Sequence, residues 1–382
     1  MFAESWITHE LNESPEALGF LGLSTALPTI LLNLFGGALA DRLNKKILIT
    51  LCQFLTLIGV GIFAVMYQGD FMQYWHVYIF AALGGAIGAF ELPARMSYYP
   101  LLITKEAMPS AVAMNSLTWQ GTRVIAPAIA GVLIAVFGAT PTLFVCCVGF
   151  LLMIVFLNMT RVDIPSNNNG GNPLRDIING LKFIYNNKLF LTLIGYSFFL
   201  GFFGWIYMIM MPYMAVQVLN VNSSGTGILL TSAGCGAVIP TIMFARAGIK
   251  NRRMGICIGS FMAGFAIIGF AFTSYQFQSF SLAMVFVFLI GLSSSIYMLS
   301  AISSIQLNVP HEFRGRIMGI YTITYSIVSL GGLYSGLVGG YVDRLLDIEH
   351  IGVPISIGLG GVIVAIGSVF LYLYNKSLKT EA

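Results

Sequence analysis

Apolar runs about 20 residues long recur from one end of this chain to the other, and that length carries a helix across a bilayer. Eleven such runs are readable, over 16–40, 47–67, 74–102, 113–137, 141–159, 189–216, 224–246, 254–273, 278–304, 317–340 and 351–374. Inside a bilayer every backbone N–H and C=O needs a partner within the protein, which leaves helix bundles or closed barrels. A barrel strand reads as an alternating segment of ~10 residues, and these runs do not alternate. Only 9% of the 382 residues are charged, against about 25% in an ordinary soluble domain. Too few charges are present to clothe a water-facing surface, so the expectation is an all-α membrane protein with lipid around it.

The basic residues set an orientation. Sixteen of the nineteen fall in alternate loops and the tail, in clusters such as Arg42/Lys45/Lys46, Arg246/Lys250/Arg252/Arg253 and Arg314/Arg316. The opposite loops hold Asp70, Asp343, Asp347 and Glu349, with Arg344 the one basic residue there. The positive-inside rule places the basic loops and the C-terminus in the cytoplasm. Cys52, Cys146, Cys147, Cys235 and Cys257 sit in apolar runs without metal-ligand or disulfide spacing and read as small packing residues. No metal, cofactor or nucleic-acid signature is present, nor a nucleotide-binding loop or a nucleophile–base arrangement. The chain reads as no enzyme.

One long polar break, 160–188, divides the chain. Its Ser166–Asn172 stretch reads as a flexible linker. After Pro173, apolar residues at helical spacing predict a short amphipathic helix on the inner membrane face. The predicted organisation is a stub over 1–15, a helical bundle over 16–159, the cytoplasmic linker over 160–188, a second bundle over 189–375 and a tail over 376–382. The halves look related. At an offset of 206, Glu106 meets Glu312, Met108 meets Arg314, Ala111 meets Ile317 and Ala113 meets Gly319. In each half this loop feeds a small-residue helix, Ala126–Gly131 in one and Gly331–Gly336 in the other. Parallel halves with the path between them are a recurring transporter plan.

The sharpest local pattern is Gly36-Gly-Ala-Leu-Ala-Asp-Arg-Leu-Asn-Lys-Lys46. Gly37 allows close helix approach, and Asp41 suits the positive end of a neighbouring helix. Here the chain resembles the major facilitator superfamily, whose helix 2–3 loop carries G-x-x-x-D-R-x-G-R-(R/K). Gly37, Asp41, Arg42, Lys45 and Lys46 match, and Asn44 departs from the preferred glycine. Phe90-Glu-Leu-Pro-Ala-Arg95 resembles the F-(D/E)-x-P-(A/S)-R that ends helix 4 in the branch holding enterobactin exporters and macrolide-efflux-like proteins. Val309-Pro310 with Arg314-Gly-Arg316-Ile-Met resembles that branch's V-P-x-x-x-R-G-R-(V/I)-M loop. The order holds over nearly the whole chain.

The resemblance implies two pseudo-symmetric bundles and twelve helices, of which about eleven are present. Ala3-Glu-Ser-Trp6 through Gly19 resembles the end of helix 1 and the loop after it. A truncated or mis-started chain is expected, with a genuine eleven-helix variant as the alternative. An upstream in-frame apolar segment in the gene decides between them.

Ionisable groups inside a bilayer are costly and usually paired or functional. Glu91 and Arg95 stand four apart on one helix face and can pair. The resemblance places Glu91 in an inner gate with Lys45 or Arg42 and with Arg123, and groups Arg314 and Arg316 with the same inner-loop motif; plain interfacial pairing without a switching role stays open. Pro127 and Gly131 look like a degenerate helix 5 exporter pattern, G-P-x-x-G-G, or else a simple kinked packing helix. Glu4 is a candidate proton site, or an exposed acid in the stub. Trp119, Gln120, Tyr196, Trp205, Tyr207, Ser294, Tyr297 and Tyr325 are candidate cavity residues, each equally readable as packing.

The resemblance implies a multi-pass protein of the bacterial cytoplasmic membrane, acting as a monomer by alternating access. The expected activity is export of a drug, macrolide or siderophore in exchange for protons. Nutrient uptake and a transport-inactive paralogue remain the alternatives.

Overall fold

Where helices begin, the sequence supplies their caps. The Oδ1 of Asn44 accepts from Lys46 N and Ile47 N at 3.0 and 3.3 Å, that of Asn187 from Leu189 N at 3.0 Å, and that of Asn251 from Met254 N at 2.9 Å. Each satisfies amide donors that a first helical turn leaves free. The computed structural model describes residues 2–103, 108–160, 173–247, 251–310 and 313–374. Its helices are α1 (Phe2–Leu11), α2 (Pro15–Arg42), α3 (Lys45–Gln68), α4 (Tyr74–Tyr98), α5 (Met108–Phe137), α6 (Ala139–Met159), α7 (Pro173–Asn186), α8 (Lys188–Gly204), α9 (Ile206–Tyr213), α10 (Ser223–Ala247), α11 (Arg252–Gln276), α12 (Phe280–Asn308), α13 (Arg314–Leu346) and α14 (Gly352–Tyr374). No strand occurs among the described residues.

Ten segments of the described residues are long and apolar enough to cross a membrane, with Val124–Phe137 of α5 a shorter apolar stretch. Large side chains such as Phe265, Ile366 and Phe370 stand exposed on the outside of the bundle, as lipid contact requires.

The expected run 189–216 is not one helix. It breaks at Trp205, resumes as α9 with Pro212 inside, and passes into a π-helical turn over Met214–Val218. Proline supplies no N–H to the ladder and crowds the preceding turn, so the widened turn follows from Pro212. The first residues are a helix, α1, rather than a bare stub. The amphipathic helix expected after Pro173 is α7; the linker 161–172 and the tail 376–382 lie outside the described residues.

Helices α1–α6 pack among themselves, and so do α8–α14. Two long seams join these bundles, α2 against α13 and α5 against α10. Both are glycine crossings of the same design. A Cβ on Gly336 would lie 2.5 Å from Pro15 O and 3.2 Å from Gly19 Cα. A Cβ on Gly131 would lie 2.7 Å from Ser223 O and 3.0 Å from Gly227 Cα. Backbone meets backbone at each, which only glycine permits. The repeat offset is visible too, since Met108 and Arg314 begin α5 and α13.

The cores say how the bundles sit. At the end bearing Glu16, Asp343 and Arg344, one continuous core takes in Ile7, Leu18 and Leu143 from one bundle and Met210, Phe270 and Val353 from the other. At the end bearing the basic loops there are two separate cores. One holds Leu48, Ile49, Tyr98 and Leu157. The other holds Phe190, Ile256, Ile305 and Ile317. Among the described residues, then, one core is shared by both bundles at the acidic end, and each bundle has a core of its own at the basic end.

Candidate functional site

A small open cleft, with room for about 20 Å³, lies on the face of the second bundle toward the basic end. Helix α8 contributes Ser197 and Gly201, and its broken end presents Trp205; α12 adds Tyr297, and α13 adds Tyr321, Thr324 and Tyr325. The hydroxyls are organised. Ser197 Oγ lies 2.7 Å from Tyr297 Oη and also donates to Leu193 O at 2.7 Å. Tyr196 packs edge-on to Tyr297, with ring centroids 5.8 Å apart. Tyr325 is 47% exposed at the mouth. The described lining carries aromatic faces, hydroxyls and thioether but no charge.

The expected cavity residues divide. Trp205, Tyr297 and Tyr325 come together on this cleft. Tyr207 does not; it is buried in the core against Phe270, ring centroids 6.5 Å apart, because it follows the break at Trp205 and turns away from the cleft. The side chains of Trp119 and Gln120 lie outside the described residues. Glu4 sits on α1, half-buried, with its carbonyl accepting from Thr8 Oγ1 at 2.8 Å. Ser294 is buried in α12, its hydroxyl without a partner among the described residues.

The expected gate is partly legible. Glu91 pairs with Arg95 on its own helix, as the four-residue spacing implies. Its other described partner was not anticipated: Gln53 of α3, 2% exposed, donates through Nε2 to Glu91 Oε1 at 2.7 Å. Lys45 is not at Glu91 among the described contacts, and the side chains of Gly37, Asp41, Arg42, Arg123 and Arg314 lie outside the described residues. Lys46 reaches elsewhere, donating from Nζ to Asn158 O at 3.1 Å and Thr160 O at 2.7 Å. Those carbonyls form the negative end of α6, a favourable place for an ammonium. Thr160 in turn meets Tyr98 Oη at 2.7 Å. Lys46 thus ties α3 to α6 within one bundle. Arg316 lies over the Phe313 ring, 5.6 Å to its centroid, under the close approach of Gly180 of α7. Pro127 and Gly131 form the α5–α10 seam, with Ser224 Oγ donating to Gly131 O at 3.4 Å.

The acidic end carries groups that sequence reading passed over. Arg344 of α13 donates through Nη1 to Glu16 of α2 at 2.7 Å, bridging the bundles. Gly340 makes room, since a Cβ there would occupy the space of the Glu16 carboxylate. Ser197, Tyr321 and Thr324 were also missed in the cleft. The spacing of Tyr321, Thr324 and Tyr325 along α13 is the stripe that would have found Tyr321 and Thr324; Ser197, on α8, lies outside it.

The Major Facilitator Superfamily model matches residues 1–333. The chain is 25% identical over 387 residues to the staphyloferrin A transporter of Staphylococcus aureus, covering 99% of this chain and 92% of that protein. It is 23% identical over 340 residues to the enterobactin exporter of Citrobacter koseri, covering 87% and 77%. Among solved structures, a D-xylose–proton symporter superposes with a TM-score of 0.75 at 14% identity, over 99% of this chain and 94% of that one. A bacterial homolog of the human lysosomal transporter Spinster, in an inward-facing and occupied conformation, gives 0.75 at 14%, over 100% and 94%. At such identities these structures speak to the fold alone.

Proposed function

Because the chain belongs to the Major Facilitator Superfamily, we propose that it exports a small amphipathic molecule from the bacterial cytoplasm, of drug, macrolide or siderophore type, in exchange for protons. It is a multi-pass membrane transporter and not an enzyme. The observation that carries the mechanism is the fused core at the acidic end with two parted cores at the basic end. With the basic loops in the cytoplasm, the arrangement of the described cores supports the inward-open member of an alternating-access pair. The halves rock about a central site and expose it to each side in turn.

Cargo enters from the basic end and lies against the aromatic and hydroxyl wall of α8, α12 and α13. The uncharged described lining supports an amphipathic cargo, and the printed names of the relatives support a siderophore. Direction rests on those relatives and on the helix 4 and helix 5 patterns, for the symporter fold is shared by uptake carriers. Asp41, at the inner end of α2, is proposed to meet the first turn of α13 when the basic end closes. Such a charge–dipole contact is worth up to ~2 kcal/mol, and about 1.4 kcal/mol shifts a population tenfold. Asp41→Asn is expected to lower flux by roughly tenfold with membrane insertion unchanged, as read by flux per inserted protein.

The deciding experiment is flux in proteoliposomes under an imposed pH gradient, with a panel of siderophores, macrolides and amphipathic dyes. Cargo moving against an inward proton gradient, and not without one, supports proton-coupled export. Movement of cargo with the protons points to uptake. An inert protein across the panel removes this reading.

A further inference from the structure

The acidic-end closure contains a buried histidine. His9 of α1 is 4% exposed, and neither ring nitrogen has a partner among the described residues. Its ring stands edge-on to Tyr213 of α9 in the opposite bundle, centroids 5.8 Å apart. Tyr213 Oη in turn lies 3.0 Å from Nδ1 of His350, in the turn before α14. The pair Glu16–Arg344 closes the same end. His9 therefore lies where the two bundles touch, inside the shared core, and parting of the bundles there is what would wet it.

We propose that His9 is a proton-binding site through which external acid opens the acidic-end closure. The physical reason is differential proton affinity. A protonated imidazole has two N–H donors and a full charge, and among the described residues the closed arrangement gives neither ring nitrogen an acceptor. Burying an unpaired charge is costly. In the open arrangement both nitrogens reach solvent and the ring binds a proton as an ordinary histidine does. Burial, the largest influence, holds the closed-state affinity below the ordinary histidine value; the Glu13 carboxylate opposes this, and His350 adds to it. Helix α1 lies outside the ten spanning segments.

The other ionisable neighbours are committed or distant. Glu10 on the same helix accepts from Tyr67 Oη of α3 at 2.6 Å. Asp343 accepts from Ile351 N and Gly352 N at 3.0 and 2.7 Å. Glu349 lies beside His350. Glu4 on α1 itself, Tyr207 of α9, Tyr74, His76 and Tyr78 at the start of α4, Asp70 after α3, and Cys146 and Cys147 of α6 are further titratable groups on or beside the packed elements. Since the closed state binds the proton more weakly, its advantage is complete above about pH 6.5 and is lost as pH falls below it. One proton gives a change of up to about tenfold in the open-to-closed ratio per pH unit. Because the proton favours the outward-open state and blocks its closing, His9 senses pH and does not itself carry the coupling proton across.

This inference rests on alternating access and on the acidic end facing outward, but on neither the cargo nor the direction of transport. The test is therefore a distance rather than a flux. Spin labels at positions 68 and 276, the last residues of α3 and α11, are read in proteoliposomes between pH 8 and pH 5.5, with exposed Cys146 and Cys235 replaced by serine. The expected result is a longer-distance population that grows about tenfold per pH unit below about 6.5 in the wild type. It is pH-independent in both His9→Phe and His9→Gln. Glu16→Gln lowers the closed population at every pH and keeps the response. A wild-type distribution that ignores pH overturns the proposal, and so does an unaltered response in either His9 variant. Failure of flux with an intact pH response would count against the transport reading alone.

Discussion

Leucine in place of Gly131 or Gly336 is expected to cut transport by about tenfold or more while leaving the protein inserted and helical. Each glycine faces backbone across a seam between bundles, at would-be Cβ distances of 2.7 Å to Ser223 O and 2.5 Å to Pro15 O. Helix backbone cannot step aside as a flexible side-chain tip can. Overpacking such a site costs about 1–3 kcal/mol, occasionally more, and here the cost falls on one state only, the one closed at the acidic end. A penalty of about 1.4 kcal/mol lowers that state's population tenfold. The bundles themselves are untouched, so melting temperature in detergent should change little. Gly59→Leu is the control, since nothing lies within 4 Å of a Cβ there. Flux retained in Gly131→Leu and Gly336→Leu would mean that the seams do not need to close so tightly in the working cycle.

Glu91→Ala is expected to do the opposite, weakening one bundle as well as transport. Gln53 is 2% exposed and its Nε2 donates to Glu91, while its Oε1 already lacks a partner among the described residues. Removing the carboxylate strands a buried amide and frees Arg95. An unmade buried hydrogen bond costs about 1–3 kcal/mol, so the melting temperature should fall by a few degrees. Glu91→Gln keeps an acceptor and should lose less. If Glu91 also serves the inner gate, as the helix 4 pattern implies, Glu91→Gln will show a flux loss out of proportion to its stability loss. Equal small losses in both measurements would leave it a purely structural pair.

The contrast between these two sites marks how far the sequence could be read. Hydrophobic run length was enough for the helical class, since lipid forces each run into a helix of its own. The small-residue runs at Ala126–Gly131 and Gly331–Gly336 were legible as related, and they supply Gly131 and Gly336 to equivalent seams. Glu91 with Arg95 followed from spacing along one helix. Gln53 did not, because its importance comes from a neighbour 38 positions away, and no periodicity within α3 singles it out. The break at Trp205 was hidden for a similar reason: apolar residues continue through it, and only Pro212 hints that the ladder fails nearby. Tyr207 was misplaced as a direct consequence, since its facing depends on that break. His9 gave no signal at all, because a histidine near the end of a short helix ordinarily meets water. The packing of α2, α4 and α9 against α1 is what makes it a buried group.

Alternating access itself is tested most directly by measuring both ends of the same molecule. Labels at positions 43 and 308 report the basic end, and labels at 68 and 276 report the acidic end. Wild-type protein in a bilayer should show a basic-end distribution dominated by long distances and an acidic-end distribution dominated by short ones. Gly336→Leu should reverse both, one end shortening as the other lengthens. Distances that stay fixed at both ends, or that lengthen together, would contradict a carrier whose bundles rock about a shared site.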